Sequence, residues 1–244
     1  MKDTCIIIPV FNEKTNIYTL LKNTEYLVNK FKWLSFLIVD NASTDGTPDI
    51  LKMELSNNEL TNLNAKIKTI RVPVNKGYGA GIKYGIRNAA HEFIGWMHAD
   101  DQISTESIDS FLDWYQGLSS GYRIVKGARV NIPLVDRFFT LSLRIIASAL
   151  LGIKIVDTNG QPTILPLPYA SEMLNAPDDY KFDLYVFVLA KRFDIPVIQY
   201  TVVSQSRLSG TSSWNTGMLA RLRLSIDYLK YILLLLKQRS KGKL

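Results

Sequence analysis

Acidic, amide and glycine residues suited to chemistry on a charged substrate are gathered in four short stretches of this sequence, and each stretch follows an apolar run. The stretches are residues 9–13, 40–47, 75–81 and 98–102. Carboxylate and amide oxygens suit a hard divalent cation, and glycines let the backbone approach a ligand closely. Taken singly, each stretch could be only a capping turn or a flexible turn. The joint presence of all four predicts a functional site.

Two common nucleotide-binding motifs are absent from the sequence. The glycines of residues 75–81 do not match G-x-G-x-x-G at the first helix, and they follow the third predicted strand rather than the first. No Walker A sequence is present. Dinucleotide-dependent redox chemistry and P-loop phosphate chemistry are therefore disfavoured.

The apolar runs between these stretches must position them. Strands are predicted at residues 5–10, 36–39, 67–72 and 93–97, with helices at 17–28, from 47 onward and at 81–90. This alternation indicates an α/β fold with a mostly parallel sheet and helices on both faces. Ligands bind outside the carboxyl ends of strands in such sheets, and the polar stretches fall there.

The second half of the chain is less regular. Residues 124–130 and 197–203 predict strands, and residues 182–193 predict a helix. Residues 138–156 are apolar with two charges, so they predict either a buried helix or a half-exposed helix that contacts a membrane. Loops are predicted at 157–168 and 204–213, from their proline, glycine and serine content.

Composition limits the class of protein. The 244 residues are 47% apolar and 21% charged, which fits one large domain of an ordinary globular protein. The single cysteine, Cys5, excludes an intramolecular disulfide framework and a multi-thiolate metal site, and its apolar surroundings predict that it is buried. No signal peptide and no run of about 18 apolar residues is found, so we expect a cytoplasmic protein or one on the cytoplasmic face of a membrane.

The net charge of +7 lies mostly in a C-terminal segment. Residues 219–244 hold seven basic residues and one acid, which leaves a nearly neutral body and disfavours nucleic acid as a partner. Apolar residues recur there at helical spacing: Leu219, Leu222, Ile226, Leu229, Leu233 and Leu236. Such a helix could dock on its own domain, pair with a second copy of the chain, or lie on a membrane. Its basic residues favour an anionic membrane surface.

The four stretches, in this order, resemble glycosyltransferase family 2, most closely its polyprenyl-phosphate branch. The resemblance covers about residues 3–215. We predict that residues 1–215 are the catalytic domain and that residues 216–244 are a basic amphipathic tail. It implies a GT-A fold, a UDP- or GDP-linked sugar donor, Mg²⁺ or Mn²⁺, and inversion at the anomeric carbon.

The resemblance assigns roles on the donor side. Pro9, Phe11, Glu13 and Asp40 would line the nucleoside pocket, where a carboxylate can accept from ribose hydroxyls or base N–H groups. Lys76 would lie close to the donor, and Gly77 and Gly79 would allow close backbone approach.

The metal motif of this branch usually reads Asp-Ala-Asp-x-Gln, and here it reads His98-Ala-Asp-Asp-Gln102. Asp100 and Gln102 therefore match as ligands. Imidazole at position 98 would tolerate Mn²⁺ better than Mg²⁺. Alternatively His98 only caps the strand and Asp101 contributes to the site instead.

On the acceptor side, the resemblance places Arg129, Arg207 and Ser212 against a phosphate, which the planar guanidinium fork suits. Asp157 and Asp183 match further acidic positions of the family. A lipid phosphate is already ionised near neutral pH and needs no general base. A hydroxyl acceptor would need one, with Asp183 or Asp157 as candidates. The predicted catalytic set is Asp100, Asp157, Asp183, Arg129 and Arg207.

The resemblance therefore predicts a membrane-associated inverting glycosyltransferase with a polyprenyl phosphate acceptor. Two alternatives stay open. One is transfer to a sugar hydroxyl in polysaccharide assembly, because the stretch from Asn159 to Thr163 departs from the branch pattern. The other is a non-catalytic nucleotide-binding module, which His98 in the metal motif would favour.

Overall fold

A computed structural model describes residues 2–56, 65–119, 121–131, 134–152, 154–155, 157–205 and 218–239. The strands in these residues are β1 (Thr4–Val10), β2 (Leu34–Asp40), β3 (Ile67–Arg71), β4 (Phe93–Trp96), β5 (Ile124–Val130), β6 (Thr163–Pro166) and β7 (Val197–Val203). The helices are α1 (Ile17–Lys30), α2 (Thr47–Ser56), α3 (Tyr78–Asn88), α4 (Thr105–Gly117), α5 (Leu134–Leu151), α6 (Leu167–Glu172), α7 (Phe182–Arg192) and α8 (Met218–Arg239), with a 3₁₀ turn at Met173–Asn175.

The strands form one mixed sheet in the order β3-β2-β1-β4-β6-β5-β7. Strand β6 runs antiparallel to β4 and β5, and every other neighbouring pair is parallel. The carboxyl ends of β1, β2 and β4 therefore meet at one edge, with β1 in the middle. The predicted α/β fold with a mostly parallel sheet is confirmed.

Alternate residues of the central strands enter two separate apolar clusters, one on each face of the sheet. Ile7 of β1 packs with Ile82 of α3 and Phe187 of α7 on one face. Ile8 packs with Ile17 of α1 on the other face. Because both faces are covered, the strands are nearly continuous apolar runs, as parallel sheets require.

The loop predicted at residues 157–168 is wrong in part, since β6 lies inside it. Its four residues pair with Phe93–Trp96 on one side, and two of them pair with Val125 and Lys126 on the other. Helix α4 was also not predicted, although Ser104 caps it by accepting from Ser107 N at 3.2 Å.

Helix α5 is half-exposed, which excludes the buried-helix alternative for this segment, while contact with a membrane stays a prediction. Among the described side chains of this helix, Ala147 is fully buried, whereas several large aliphatic side chains are exposed: Leu141, Ile145, Ile146 and Leu150. Among the helices that the structure describes, none has the length and apolar character needed to cross a membrane.

The predicted C-terminal helix is confirmed as α8, and it packs against α5. Its buried residues are Tyr228, Ile232 and Leu235. Most of the apolar row predicted from the spacing points to solvent instead, since Leu219, Leu222, Ile226 and Leu233 are exposed. The helix therefore does dock on its own domain, but mainly through a different row from the one that the spacing predicted, although Leu236 of the predicted row also packs against the core. The boundary predicted at residue 215 lies outside the described residues.

Candidate active site

Hydrogen bonds join the loops that follow β1 and β2. Asn12 N donates to Ser43 Oγ at 2.9 Å, and Thr44 N donates to Asn12 Oδ1 at 2.8 Å. Asn12 has a φ of 55°, a left-handed conformation that asparagine tolerates well. These bonds hold residues 9–13 next to Asp40.

The predicted nucleoside-binding residues are thus brought to one edge of the sheet. Pro9 is partly buried and Phe11 is 43% exposed, so its ring is accessible to a ligand. Glu13 Oε2 accepts a hydrogen bond from Asn16 Nδ2 at 2.6 Å, which orients the carboxylate at the start of α1.

Asp40 is buried and held by two donors. Its Oδ1 accepts from Ser43 N at 2.9 Å, and its Oδ2 accepts from Arg71 Nη1 at 2.8 Å. Arg71 is the residue of β3 that pairs with Asp40 in the sheet, and its guanidinium is half-exposed. The Asp40 carboxylate therefore has a fixed orientation beside an accessible cation.

The glycine-rich stretch leads into α3 and lies against the segment before α7. Gly77 has a φ of 116°, and a Cβ there would lie 2.6 Å from the Asp178 carbonyl oxygen. Ala80 N donates to the same oxygen at 2.9 Å. Glycine is therefore required at position 77 partly by this contact within the chain. Lys76 is exposed and lines a cavity of about 390 Å³ together with Asn41.

The turn after β4 places Asp100 and Gln102 together. Gln102 N donates to Asp100 Oδ1 at 3.3 Å. Asp101, with a φ of 57°, turns toward α1, where its Oδ1 accepts from Asn23 Nδ2 at 3.4 Å. Burial, followed by the charge of Asp100, raises the pKa of Asp101.

His98 contacts two polar residues from other parts of the chain. Its Nε2 lies 3.0 Å from Gln161 Nε2, and its ring centroid lies 5.0 Å from that of Tyr78. Gln161 Nε2 also donates to the Tyr78 hydroxyl at 2.5 Å. The Oε1 of Gln161 is buried and has no hydrogen-bond partner among the described residues. A buried acceptor of this kind calls for a partner, so it marks a place for a ligand group or water.

Arg129 and Asp157 form a two-pronged ion pair at the end of β5. Arg129 Nε donates to Asp157 Oδ2 at 2.8 Å, and Nη2 donates to Oδ1 at 2.9 Å. Burial alone would raise the pKa of Asp157, but the hydrogen bonds and charge of Arg129 outweigh it and lower that pKa. Asp157 is therefore ionised at neutral pH and orients the arginine.

Asp183, at the start of α7, is buried in a polar cluster. Its Oδ1 accepts from Trp96 Nε1 at 2.8 Å and lies 3.9 Å from Lys126 Nζ. Lys126 is fully buried and donates to Thr163 Oγ1 at 3.0 Å, and burial lowers its pKa. Asp183 thus joins β4, β5 and α7 beneath the site.

One pocket unites the turn after β4, where metal ligands were predicted, with Arg129, which was predicted to bind the acceptor. Its lining comes from α1, the residues after β4, α4, the end of β5 and the loop before β6, and it includes His98, Asp100, Gln102, Arg129, Asn159 and Gln161. The other predicted phosphate-binding residues, Arg207 and Ser212, lie outside the described residues.

Within the described part of the chain, no three His, Cys, Asp or Glu side chains are grouped to hold a metal ion. The ligands at hand are the Asp100 carboxylate, the Gln102 amide and the His98 imidazole. Mg²⁺ and Mn²⁺ accept carboxylate and amide oxygens, and Mn²⁺ also accepts imidazole. This donor set fits such an ion if a ligand supplies further oxygens.

Sequence reasoning missed three residues that shape the site: Arg71, Tyr78 and Gln161. Tyr78 lies in a stretch that had been singled out for its glycines. Arg71 could have been found only from the strand register that sets it opposite Asp40. Nothing in the sequence around Gln161 indicates that its side chain contacts His98.

A family model described as glycosyl transferase family 2 matches residues 5–193. This match covers most of the chain, so the chain belongs to glycosyltransferase family 2, which confirms the predicted family.

Among curated proteins, the chain is similar to the undecaprenyl-phosphate 4-deoxy-4-formamido-L-arabinose transferase of Pectobacterium atrosepticum. The two are 24% identical over 220 residues, which is 88% of this chain and 63% of the relative. The enzyme of the same description from Pectobacterium carotovorum is 23% identical over 220 residues, with the same coverage. The chain thus spans less than two thirds of these relatives.

Among solved structures, the chain is similar to glucosyl-3-phosphoglycerate synthase from Mycobacterium tuberculosis in complex with Mn²⁺, UDP and glucosyl-3-phosphoglycerate. The TM-score is 0.64 at 14% identity, with 95% of this chain and 80% of that chain covered. At this identity the likeness concerns the fold, and it confirms the predicted GT-A architecture.

Proposed function

We propose that this protein transfers a sugar from a nucleotide-sugar donor to a polyprenyl phosphate at a membrane surface, with inversion at the anomeric carbon. The observation that carries the proposal is the shared pocket, because Asp100 and Gln102 line it together with Arg129. A group suited to the donor's diphosphate and a group suited to an anionic acceptor thus face the same space.

The donor's nucleoside would bind at the joined loops after β1 and β2. The half-exposed guanidinium of Arg71 would meet the diphosphate or ribose while it holds Asp40 in place. Phe11 offers an exposed ring on which a base can stack. UDP is the first choice of nucleotide, because the solved neighbour binds it, and GDP is the rival.

A divalent metal ion would be held by Asp100 and Gln102, with His98 at the same turn. The solved neighbour is described with Mn²⁺. When bound, the ion supplies positive charge against the leaving diphosphate. The buried Oε1 of Gln161 beside His98 supports a ligand in this pocket, since it would gain a partner there.

A phosphate acceptor suits the acceptor side better than a hydroxyl does. Asp157 is bound by Arg129, and Asp183 by Trp96, so each carboxylate already has strong partners. A hydroxyl acceptor would need one of them as a base, whereas a phosphate is ionised already. One edge of the Arg129 guanidinium faces Asp157. The arginine also lines the pocket, which allows it to orient an anion there.

Helices α5 and α8 would contact the membrane surface. Each of the two helices has exposed aliphatic side chains, which together are called the α5–α8 surface hereafter: Leu141, Ile145, Ile146, Leu150, Leu219, Leu222, Ile226 and Leu233. Basic residues of α8 flank it, including Arg223 and Lys230, and would meet anionic headgroups. Binding at the cytoplasmic face stays a prediction.

The test of the reaction is release of nucleoside diphosphate from a panel of UDP- and GDP-sugars, with Mn²⁺ and undecaprenyl phosphate in vesicles. We expect release that depends on the lipid phosphate and is lost in Arg129→Gln. The control is Arg123→Gln, because Arg123 is only partly buried and does not line the pocket. Release with a sugar acceptor alone would favour the hydroxyl alternative. No release with any donor would favour the non-catalytic alternative.

The test of the surface is flotation with vesicles of phosphatidylglycerol and phosphatidylcholine. We expect Leu222→Glu with Ile226→Glu to release the protein, because both side chains are exposed and should not be needed for folding. Met53→Glu on α2, which is 55% exposed, is the matched control and should leave flotation unchanged. Equal flotation of all three proteins would contradict membrane binding by this surface.

A further inference from the structure

Helix α8 is bonded directly to the loop that orients Arg129, through one buried tyrosine. The Tyr228 hydroxyl lies 3.2 Å from Asn159 Oδ1 and 3.0 Å from the Tyr180 carbonyl oxygen, so its one proton is shared between these two acceptors. Tyr228 is only 5% exposed, and its ring lies 5.2 Å from that of Tyr180. This hydroxyl therefore joins α8 to the loop after α5 and to the segment before α7.

Asn159 is the next link toward the site. Its backbone N donates to Asp157 Oδ1 at 3.1 Å, and that oxygen also accepts from Arg129 Nη2. Asn159 itself lines the pocket that holds Asp100. The path from α8 to the guanidinium thus runs through hydrogen bonds between Tyr228, Asn159, Asp157 and Arg129.

The loop has little room to move independently. A Cβ on Gly160 would overlap the Gly127 carbonyl oxygen and would lie 2.9 Å from Asp157 Oδ2, so the loop backbone lies hard against β5. A displacement at Asn159 is therefore passed on to Asp157 rather than absorbed. Burial raises the pKa of Tyr228, so its hydroxyl remains a donor throughout the neutral range.

We propose that Tyr228 is a positioning residue for the acceptor side: through it, α8 holds the loop of residues 157–161 and thereby Arg129 in place. The role of the loop in acceptor binding rests on the proposed function, whereas the coupling between α8 and the loop does not. The tail would then contribute to the active site as well as to any surface it binds.

The test compares the full-length wild-type protein with the Tyr228→Phe variant. This substitution removes one hydroxyl and keeps the ring. Tyr231→Phe is the matched control, because Tyr231 lies on the same helix, is partly buried and makes no hydrogen bond to another described residue. Amide hydrogen exchange is measured in residues 129 and 157–161 and in the central strands β1 and β2.

We expect Tyr228→Phe to speed exchange in residues 129 and 157–161 by about fivefold, the effect of one lost hydrogen bond. Exchange in β1 and β2 should stay unchanged, and Tyr231→Phe should match the wild type everywhere. Equal loop exchange in all three proteins would overturn the proposal, and so would faster exchange spread evenly over the sheet, since that would report a general loss of stability.

A kinetic measurement then separates the coupling from the reaction. With the donor found in the panel, Tyr228→Phe should raise the KM for undecaprenyl phosphate about fivefold and leave the KM for the donor unchanged. A loosened loop without turnover of any donor would refute the proposed function and leave the coupling standing. Turnover with an unchanged loop and an unchanged acceptor KM would refute the coupling alone.

Discussion

Replacing Asp157 by Asn should cost a large part of the protein's stability at neutral pH. Asp157 is 4% exposed and takes two side-chain hydrogen bonds from Arg129, at 2.8 and 2.9 Å. Removing one partner of a buried ion pair leaves the other charge uncompensated, which costs about 3–5 kcal/mol. The Arg129 side chain retains 18% exposure, so we expect the lower end of this range. That loss lowers the Tm by roughly 6–12 °C for a chain of this size.

The pH dependence of this loss has a definite sign. The pKa of Asp157 is lowered in the folded protein, so its stabilising contribution is complete above the unfolded value of about 3.9. The contribution disappears as the pH falls through the lower, folded pKa. The gap in Tm between wild type and Asp157→Asn should therefore be constant from pH 8 to about pH 5 and shrink below about pH 4.

Thermal denaturation followed by circular dichroism at a series of pH values measures this gap. Asp113→Asn is the control, because Asp113 is half-exposed and pairs with Lys30 on the surface, which is worth at most about 1 kcal/mol. A Tm loss no larger than that of the control would refute a stabilising pair at Asp157. So would a gap that widens as the pH falls.

Three further outcomes follow from the packing. Gly127→Ala should destabilise by about 3 kcal/mol in urea denaturation, because its Cβ would overlap the Gln161 carbonyl oxygen, whereas Gly117→Ala, with open space around it, should be neutral or slightly stabilising. Burial raises the pKa of the Cys5 thiol to about 11, so a thiol reagent should label the native protein only on unfolding. Trp96→Phe should cost about 1–3 kcal/mol, since it removes a donor to a buried carboxylate.

The sequence predicted well those elements whose apolar pattern reflects burial against one or both faces of the sheet. The strands at 124–130 and 197–203 were predicted with the bounds observed, and the first four strands within two residues at each end. Their side chains fill two apolar clusters, so the local pattern carries the information.

The elements that were missed depend on distant partners. Strand β6 has only four residues, between proline-containing segments, and it exists as a strand because β4 and β5 pair with it from either side. In α8, periodicity alone finds an apolar row but cannot tell which row is buried. Contact with α5, together with the contact of Tyr228 with Tyr180, buries the row of Tyr228, Ile232 and Leu235 and leaves Leu222 and Ile226 exposed.

The candidate site, like the fold, could be predicted from the sequence only in part. The order of the four stretches identified the edge of the sheet and the family, and the pairing of β1 with β2 and β4 brings them together. The partners of each carboxylate could not be predicted, because Arg71, Arg129 and Trp96 reach Asp40, Asp157 and Asp183 from other strands. These partners determine which carboxylates already accept hydrogen bonds from within the protein.

The central claim is that Asp100 helps to hold a divalent cation against a nucleotide diphosphate at this edge of the sheet. Isothermal titration of UDP into the protein, with and without Mn²⁺, tests it directly. We expect binding that requires Mn²⁺ and weakens at least about tenfold in Asp100→Asn, while Asp113→Asn should bind like the wild type. Equal affinity of UDP for wild type and Asp100→Asn in the presence of Mn²⁺ would contradict it.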